Sequence, residues 1–353
     1  MKTMKPKDCS GLPVFRLEGL DSTGGLPFLC NLIPELRNCG LRVALVFLQD
    51  QDLCADLLPT DHNLLFAGGC DIVSLGKEQL SLSHQEIGLD RIRWYLAELC
   101  QRYDIVLVAC ETGLDSPILR LQEGDSGAAR QGKTDRLHII DTTAGMPACA
   151  LTIVNLLRQT LQQVPNWACV LIGGKSSRMG RTKHLLADGR GRTWLENTVA
   201  ILEPFVERVV LSGRGLVPES LQDLTRIADI PGVAGPLAGI LSAMRWQPEV
   251  SWLVVACDMP CLSLEALGWL IDSRQPGRWG TVPRRSADSH VEPLLAHYDR
   301  RCRSIFEEVL AAGSLRIGDV AVHAKIATPV IPAQFVQAWD NINTPEELRS
   351  SAL

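Results

Sequence analysis

The chain has 353 residues, 46% of them apolar and 21% charged, with a formal net charge of −5 at pH 7. This length allows two domains, and the composition is typical of a folded protein rather than a disordered one. The longest apolar runs are far shorter than the ~18 residues that cross a bilayer, so we expect no membrane span. Residues 1–165 have 15 basic and 20 acidic side chains and residues 166–353 have 20 of each, so neither half has the basic excess of a nucleic-acid binder.

Short apolar, β-branched runs alternate along the chain with longer segments of helical periodicity, which indicates βα units around mainly parallel sheets. The proline in Gln163-Val-Pro-Asn-Trp167 interrupts the preceding helical stretch. We therefore predict an α/β protein with two domains, residues 1–165 and 166–353. The predicted strands, in chain order, are residues 14–17, 42–48, 104–110, 167–172, 208–212 and 252–257.

The twelve cysteines include no Cys-x-x-Cys pair, and the spacing of Cys257 and Cys261 lacks the partners of a zinc site. They are interpreted as reduced thiols. Residues 1–8 carry lysines but no apolar core follows them, so no secretory signal is expected. A cytoplasmic location is predicted.

The first glycine-rich segment, residues 18–28, lies between a predicted strand and an apolar helix. Gly19 and Gly24 have the spacing of a P-loop, which holds phosphates on backbone N–H groups. A working P-loop continues with Lys and Ser or Thr, whereas here Gly25 and Leu26 follow, so the usual source of ATPase chemistry is missing. The segment is either a strand-to-helix turn that needs glycine or part of a decayed nucleotide-binding domain.

The second glycine-rich segment is Leu171-Ile-Gly-Gly-Lys-Ser-Ser-Arg-Met-Gly-Arg-Thr-Lys183. Gly173 and Gly174 allow the backbone to turn sharply off the strand and to approach a ligand. Arg178 and Lys183 supply positive charge, and the serines supply hydrogen-bond donors, so a polyphosphate is the expected ligand. The alternative is an exposed basic turn, which the fixed spacing of the glycines and cations disfavours.

This pattern resembles the G-G-x-S-x-R-M-G-x-x-K signature of nucleotidyltransferases of the molybdenum cofactor guanylyltransferase type. The resemblance covers residues 166–353 and implies a Rossmann-like nucleotidyltransferase fold for the second domain. Further segments stand in the family's order: Gly235-Pro-Leu-Ala-Gly239, Val254-Val-Ala-Cys-Asp-Met-Pro260, Glu292-Pro-Leu-Leu-Ala-His-Tyr298, Gly313-Ser-Leu-Arg316 and Asn341-Ile-Asn-Thr-Pro-Glu-Glu-Leu348.

The resemblance implies that Arg178, Lys183 and Asp258 are catalytic and that Asp258 binds Mg²⁺. Asp258 directly follows a predicted strand, at the edge where α/β sheets bind ligands; a carboxylate that caps the next turn is the alternative. Asn341 and Asn343 match a family pair near the metal and phosphates, or they only cap the next helix. The nucleotide-binding residues that the resemblance implies are Leu171, Ile172, Gly173, Gly174, Lys183, Ser212, Asp229 and Asp258.

The implied reaction is transfer of GMP from GTP to molybdenum-bound molybdopterin, which yields the guanine dinucleotide cofactor and pyrophosphate. The attacking phosphate is already ionised, so the site needs positioning and charge neutralisation rather than a general base. Accordingly, His184 is expected to face solvent or pack locally rather than act in catalysis. Gly174 favours guanine, because the related cytidylyltransferases tend to carry Ala-Ala-Gly, although Ser212 replaces an asparagine frequent in the guanylyltransferases.

Segments 31–46, 67–74 and 104–111 resemble parts of the small GTP-binding adaptor protein of molybdopterin-guanine dinucleotide biosynthesis. This implies a degenerate P-loop adaptor-like first domain with a docking or regulatory role. The implied partners are GTP, molybdopterin, and acceptor molybdo- or tungstoenzymes with their chaperones. Two alternatives stay open: cytidylyl transfer to the same cofactor, and a non-catalytic carrier of nucleotide or pterin.

Overall fold

The computed structural model describes residues 11–19, 25–48, 71–75, 89–109, 114–123, 136–173 and 183–342. The chain divides into two compact units, residues 1–163 and 164–353. The division falls just after a long helix, two residues before the boundary predicted from the sequence. Each unit is built around its own sheet. Among the described residues, no helix is long and apolar enough to cross a membrane.

The described strands of the first unit form a six-stranded sheet in which every pair is parallel. The strand order is β3-β2-β4-β1-β5-β6. Helices α1 and α3 pack on one face and α2 packs on the other. The elements are β1 Val14–Glu18, α1 Gly25–Asn38, β2 Val43–Leu48, β3 Asp71–Leu75, α2 Leu89–Leu99, β4 Ile105–Ala109, β5 Ile118–Gln122, β6 Leu137–Asp141 and α3 Met146–Gln162.

Gly19, the first glycine of the early segment, has φ 83° at the end of β1. A Cβ at this position would lie 2.7 Å from the backbone oxygen of Leu121 in the neighbouring strand. The packing of the chain against β5 therefore requires glycine here, whether or not the loop binds a ligand. Gly24 lies outside the described residues, so the P-loop character of this unit stays a prediction.

The described strands of the second unit form a seven-stranded sheet in the order β13-β11-β12-β10-β7-β8-β9, and among them only β12 runs antiparallel to its neighbours. Helices α4 and α6 cover one face, and α5 and α7 cover the other. The α/β class with mainly parallel sheets is thus confirmed. The elements are β7 Asn166–Leu171, α4 Trp194–Leu202, β8 Arg208–Ser212, β9 Thr225–Ile227, α5 Pro236–Trp246, β10 Ser251–Ala256, α6 Leu264–Asp272, β11 Gly280–Thr281, β12 Leu295–Tyr298, α7 Cys302–Ala311 and β13 Ile326–Ala327.

The last residues of four parallel strands lie side by side at one edge of this sheet. Leu171 pairs with Ala256 on one side and with Ser212 on the other, and Ser212 pairs with Ile227. All six residues of β10 are buried, as expected for a parallel strand covered on both faces. Segments that follow these strands in the sequence therefore meet at a single edge, which we call the carboxyl edge.

The buried histidine of β12 predicts a pH dependence of stability. Burial, together with the nearby charge of Arg274, lowers the pKa of His297 from 6.5 to about 3 in spite of Asp299. Between these values the unfolded chain binds a proton that the folded chain does not bind. The stability contribution of neutral His297 is thus complete above pH 6.5 and is lost as the pH falls, by about 1.4 kcal/mol per pH unit.

We expect His297→Gln to reduce the pH slope of the unfolding free energy by about 1.4 kcal/mol per pH unit between roughly pH 6 and pH 4. Urea titrations followed by tryptophan fluorescence measure this, because seven of the eight tryptophans lie in the second unit. Equal pH slopes of the unfolding free energy for wild type and variant would show that His297 binds its proton over the same pH range in the folded and unfolded protein.

Candidate active site

The centre of the site is an ion pair between Lys183 and Asp258. Lys183 Nζ lies 3.0 Å from Asp258 Oδ2, and the two side chains are 16% and 22% exposed. Asp258 is the second residue after the end of β10, at the carboxyl edge. A partly buried carboxylate that already holds a cation at hydrogen-bond distance is a suitable Mg²⁺ ligand, and oxygen is the donor that Mg²⁺ prefers.

A short turn and a capped helix position Lys183. The Leu186 N–H donates to Lys183 O (2.9 Å), and the Trp194 N–H donates to Leu186 O (2.9 Å). Helix α4 then begins with a capping box, in which the Thr193 hydroxyl accepts from the Glu196 N–H and the Glu196 carboxylate accepts from the Thr193 N–H. These local contacts fix where the lysine backbone stands relative to the carboxyl edge.

The backbone turns sharply where it leaves β7. The Ile172 N–H still donates to Ser212 O (2.8 Å), which continues the parallel ladder by one residue. Gly173 then adopts φ 118°, and a Cβ there would lie 3.0 Å from Arg214 O. Both the positive φ and the close approach of the backbone of residue 214 require glycine, as the sequence predicted for this position.

Cys257 lies next to this turn but is not a nucleophile. Burial raises the pKa of its thiol to about 12, and the Asp258 charge adds to the shift while Lys183 and the backbone of Gly173 oppose it. Cys169 of β7 behaves alike, since burial and the Asp229 charge raise its pKa to about 12. Neither thiol is ionised near neutral pH, so neither supports covalent thiolate chemistry.

Three predicted nucleotide-binding residues converge on the first turn of α5. A Cβ on Gly239 would lie 2.8 Å from Leu171 Cδ2, 2.9 Å from Ser212 Oγ and 3.5 Å from Asp229 Oδ1. The buried Ser212 hydroxyl donates to Gly239 O at 3.1 Å, whereas Asp229 is exposed. The serine therefore ties the helix to β8, and the aspartate is accessible to a ligand.

Asn341 also lies at the carboxyl edge. Its side chain is exposed, and the N–H of the next residue, Ile342, donates to Asp258 O at 3.1 Å. The sequence missed a further residue here: the Arg285 guanidinium donates to Asp340 Oδ1 and to Trp339 O. No local pattern links this arginine to the Asn341 segment, because Asp340 and Trp339 lie more than fifty residues away along the chain.

Predicted residues Gly174, Arg178 and Asn343 lie outside the described residues. His184 does not face solvent: its ring is buried, and Nε2 lies 2.8 Å from Leu216 O, 32 residues further along the chain. Burial lowers its pKa, and the charge of Arg226 acts in the same direction. In the described part of the chain, no group of three or more His, Cys, Asp or Glu side chains could hold a metal without help from a ligand.

Comparisons with known proteins find relatives of the second unit. Residues 168–320 match the model of the MobA-like NTP transferase domain. A "Probable molybdenum cofactor guanylyltransferase" of Pelotomaculum thermopropionicum is 30% identical over 192 residues, which cover 51% of this chain and 88% of that protein. A "Molybdenum cofactor biosynthesis bifunctional protein" of Synechocystis is 28% identical over 155 residues, or 43% of this chain and 44% of that protein.

Among solved structures, molybdopterin-guanine dinucleotide biosynthesis protein A of Archaeoglobus fulgidus is 25% identical, with a TM-score of 0.44 over 52% of this chain and 95% of that one. The family match and the carboxyl-edge site define the second unit as a nucleotidyltransferase. The match to the Pelotomaculum protein, which spans most of that relative, is more specific. The chain belongs to the molybdenum cofactor guanylyltransferase family.

The contacts of Gly239 predict opposite effects for two helical glycines. We expect Gly239→Ala to lower the free energy of unfolding by about 1–3 kcal/mol, because the new methyl group meets Leu171 and the fixed Ser212 hydroxyl. Gly268→Ala in α6 is the matched control, since its Cβ meets nothing nearer than 4.0 Å. There, alanine should stabilise the helix by about 0.5–1 kcal/mol. Urea unfolding distinguishes the two, and similar effects for both would contradict the packing at Gly239.

Proposed function

We propose that the second unit transfers GMP from GTP to molybdenum-bound molybdopterin and releases pyrophosphate. The observation that carries the proposal is the Lys183–Asp258 pair at the carboxyl edge in a member of this family. A terminal phosphate oxygen of molybdopterin forms a bond to the α-phosphorus of GTP. The bond from that phosphorus to the oxygen bridging to the β-phosphate breaks, and pyrophosphate leaves with the electron pair.

The protein's part in this step is electrostatic. An ionised phosphate nucleophile needs no proton removed, so the site has to align two anions and offset their repulsion. Lys183 supplies an ammonium at the centre of the edge, and Arg178 would supply a guanidinium from the glycine loop. Mg²⁺, when bound, would further neutralise the phosphates, and Asp258 would hold it together with phosphate oxygens. This accounts for a site whose described residues include no nucleophilic serine or cysteine.

Asp229 supports guanine as the base. Its carboxylate is exposed beside Leu171 and the first turn of α5. A carboxylate accepts hydrogen bonds only, and guanine presents two adjacent donors on its pairing edge, the ring N1–H and the 2-amino group. The corresponding edge of cytosine presents one donor beside an acceptor nitrogen. This favours guanylyl over cytidylyl transfer.

For the first unit, we propose a degenerate P-loop adaptor-like domain that serves docking or regulation rather than hydrolysis. The all-parallel sheet, with β1 in its interior and α1 following the glycine segment, supports this assignment. The dinucleotide product would pass to acceptor molybdo- or tungstoenzymes and their chaperones in the cytoplasm. Release of inorganic phosphate from GTP by the full chain would contradict the regulatory assignment.

Lys183→Ala and Asp258→Ala each test the proposed transfer. We expect either change to lower pyrophosphate release from GTP and metal-loaded molybdopterin by about a hundredfold or more, because Lys183 offsets the charge of the reacting phosphates and Asp258 would hold the Mg²⁺ that does the same. Arg245→Ala and Glu307→Ala break a separate exposed ion pair of the same unit, on α5 and α7, and serve as matched controls with wild-type rates. Activity that survives both site variants would exclude this pair from the reaction and favour a different centre.

A further inference from the structure

Arg285 joins two segments that the sequence keeps far apart. Its Nε donates to Glu292 Oε1 (2.7 Å), its Nη1 to Asp340 Oδ1 (2.7 Å) and its Nη2 to Trp339 O (2.6 Å). Glu292 begins one of the family-like segments and lies just ahead of β12. Arg285 itself follows β11, which runs toward the carboxyl edge and whose last residue, Thr281, is level with Leu253 of β10. All three nitrogens of one guanidinium are thus used to hold the turn before β12 against the segment 339–340.

Residues 339–340 directly precede Asn341 in the chain, and the residue after Asn341 contacts the backbone of Asp258. Trp339 is fully buried, and its Nε1 donates to Leu295 O at 3.0 Å. Ile342 is buried as well, and its N–H donates to Asp258 O at 3.1 Å. Between these two anchors stands Asn341 with an exposed side chain. The position of Asn341 next to the backbone of Asp258 therefore depends on contacts made by its neighbours.

The charges around Arg285 favour a fixed position of its side chain. One cation lies between two carboxylates, and the side chains of Arg285, Glu292 and Asp340 are 34%, 23% and 48% exposed. Burial disfavours the charged guanidinium, but its hydrogen bonds to the two carboxylates outweigh this and raise the pKa of Arg285. A lysine would keep the charge but not the planar fork, whose nitrogens point at three separate acceptors.

We propose that Arg285 is a positioning residue of the transferase, which fixes the Asn341 segment against the Asp258 loop and so places Asn341 at the metal and phosphate site. This rests on the proposed function. Arg285 acts through its contacts with Trp339 and Asp340, which precede Asn341 in the chain. Since Asn341 is the residue delivered to the site, the loss of Arg285 should affect turnover and the Mg²⁺ requirement more than the affinity for GTP.

The first test is independent of any activity. Amide hydrogen exchange of Ile342 in the full chain reports whether its N–H stays on Asp258 O. We expect Arg285→Gln to speed this exchange by about tenfold or more, because the segment opens more readily once the hydrogen bonds of Arg285 to residues 339–340 are lost. Arg285→Lys should also exchange faster than wild type. Unchanged exchange in Arg285→Gln would overturn the proposal, whatever the enzyme's activity.

Arg284, the residue immediately before Arg285, offers a matched control. Its guanidinium donates to Ala287 O and to Thr328 Oγ1 and makes no contact with residues 339–342 among the bonds described for it. Arg284→Gln removes the same charge from the same turn, so Ile342 exchange should stay within about twofold of wild type. Equal acceleration in Arg284→Gln and Arg285→Gln would show a general effect of charge loss and would overturn the specific role of Arg285.

The second test uses pyrophosphate release with GTP and metal-loaded molybdopterin. We expect Arg285→Gln to lower kcat about tenfold and to raise the Mg²⁺ concentration for half-maximal rate, with little change in KM for GTP. In an Asn341→Ala background, the same change should have almost no further effect on kcat, since the two residues act as a unit. Fully additive effects would overturn the link through Asn341. An inactive wild-type enzyme would instead overturn the proposed function, and the exchange experiment would still decide the structural role of Arg285.

Discussion

The parallel register of β10, β7 and β8 is the constraint on which the site depends. Because Ala256, Leu171 and Ser212 are paired across three neighbouring strands, the chain leaves all three at the same level of one sheet edge. Lys183 and Asp258 lie at this edge with 3.0 Å between their charged atoms. Local contacts position each residue, but only the sheet brings the two together, since 75 positions separate them along the chain. The pairing of the strands brings the two residues close together, and the loops after the strands carry their charged side chains.

Close packing at this edge fixes the backbone for ligand binding. Gly173 and Gly239 both stand where a Cβ would approach other atoms at 3.0 Å or less, and the buried Ser212 hydroxyl holds the first turn of α5 to β8. Such contacts leave the edge little freedom to adjust. A site that works by aligning phosphates benefits from that rigidity, because small displacements of the reacting groups are costly in rate.

Much of this could be predicted from the sequence. Alternating apolar runs and helical segments gave the α/β class, and the end of an apolar strand placed Asp258 at a ligand-binding edge. The sharp turn at Gly173 followed from its position between a strand and a polar loop. These features are local, so a short window of residues contains the necessary information.

The contacts that escaped prediction are long-range ones. The Ser212 hydroxyl donates to Gly239 O, and no neighbouring residue signals this contact. Arg285 looks like an ordinary surface charge in a polar turn until the fold brings Trp339 and Asp340 to it. His184 is buried although it follows a charged lysine. In each case the partner is chosen by packing between distant elements, which periodicity and motif spacing do not encode.

Pyrophosphate release by the full chain with Mg²⁺ and metal-loaded molybdopterin, with GTP, CTP and ATP compared side by side, tests guanylyl transfer at this edge. We expect turnover with GTP and rates at least about a hundredfold lower with the other two, because the Asp229 carboxylate suits the donor pair of guanine. Equal or faster turnover with CTP would contradict the assignment of the base. No pyrophosphate release with any of the three nucleotides would contradict the proposed transferase activity and would favour a non-catalytic carrier.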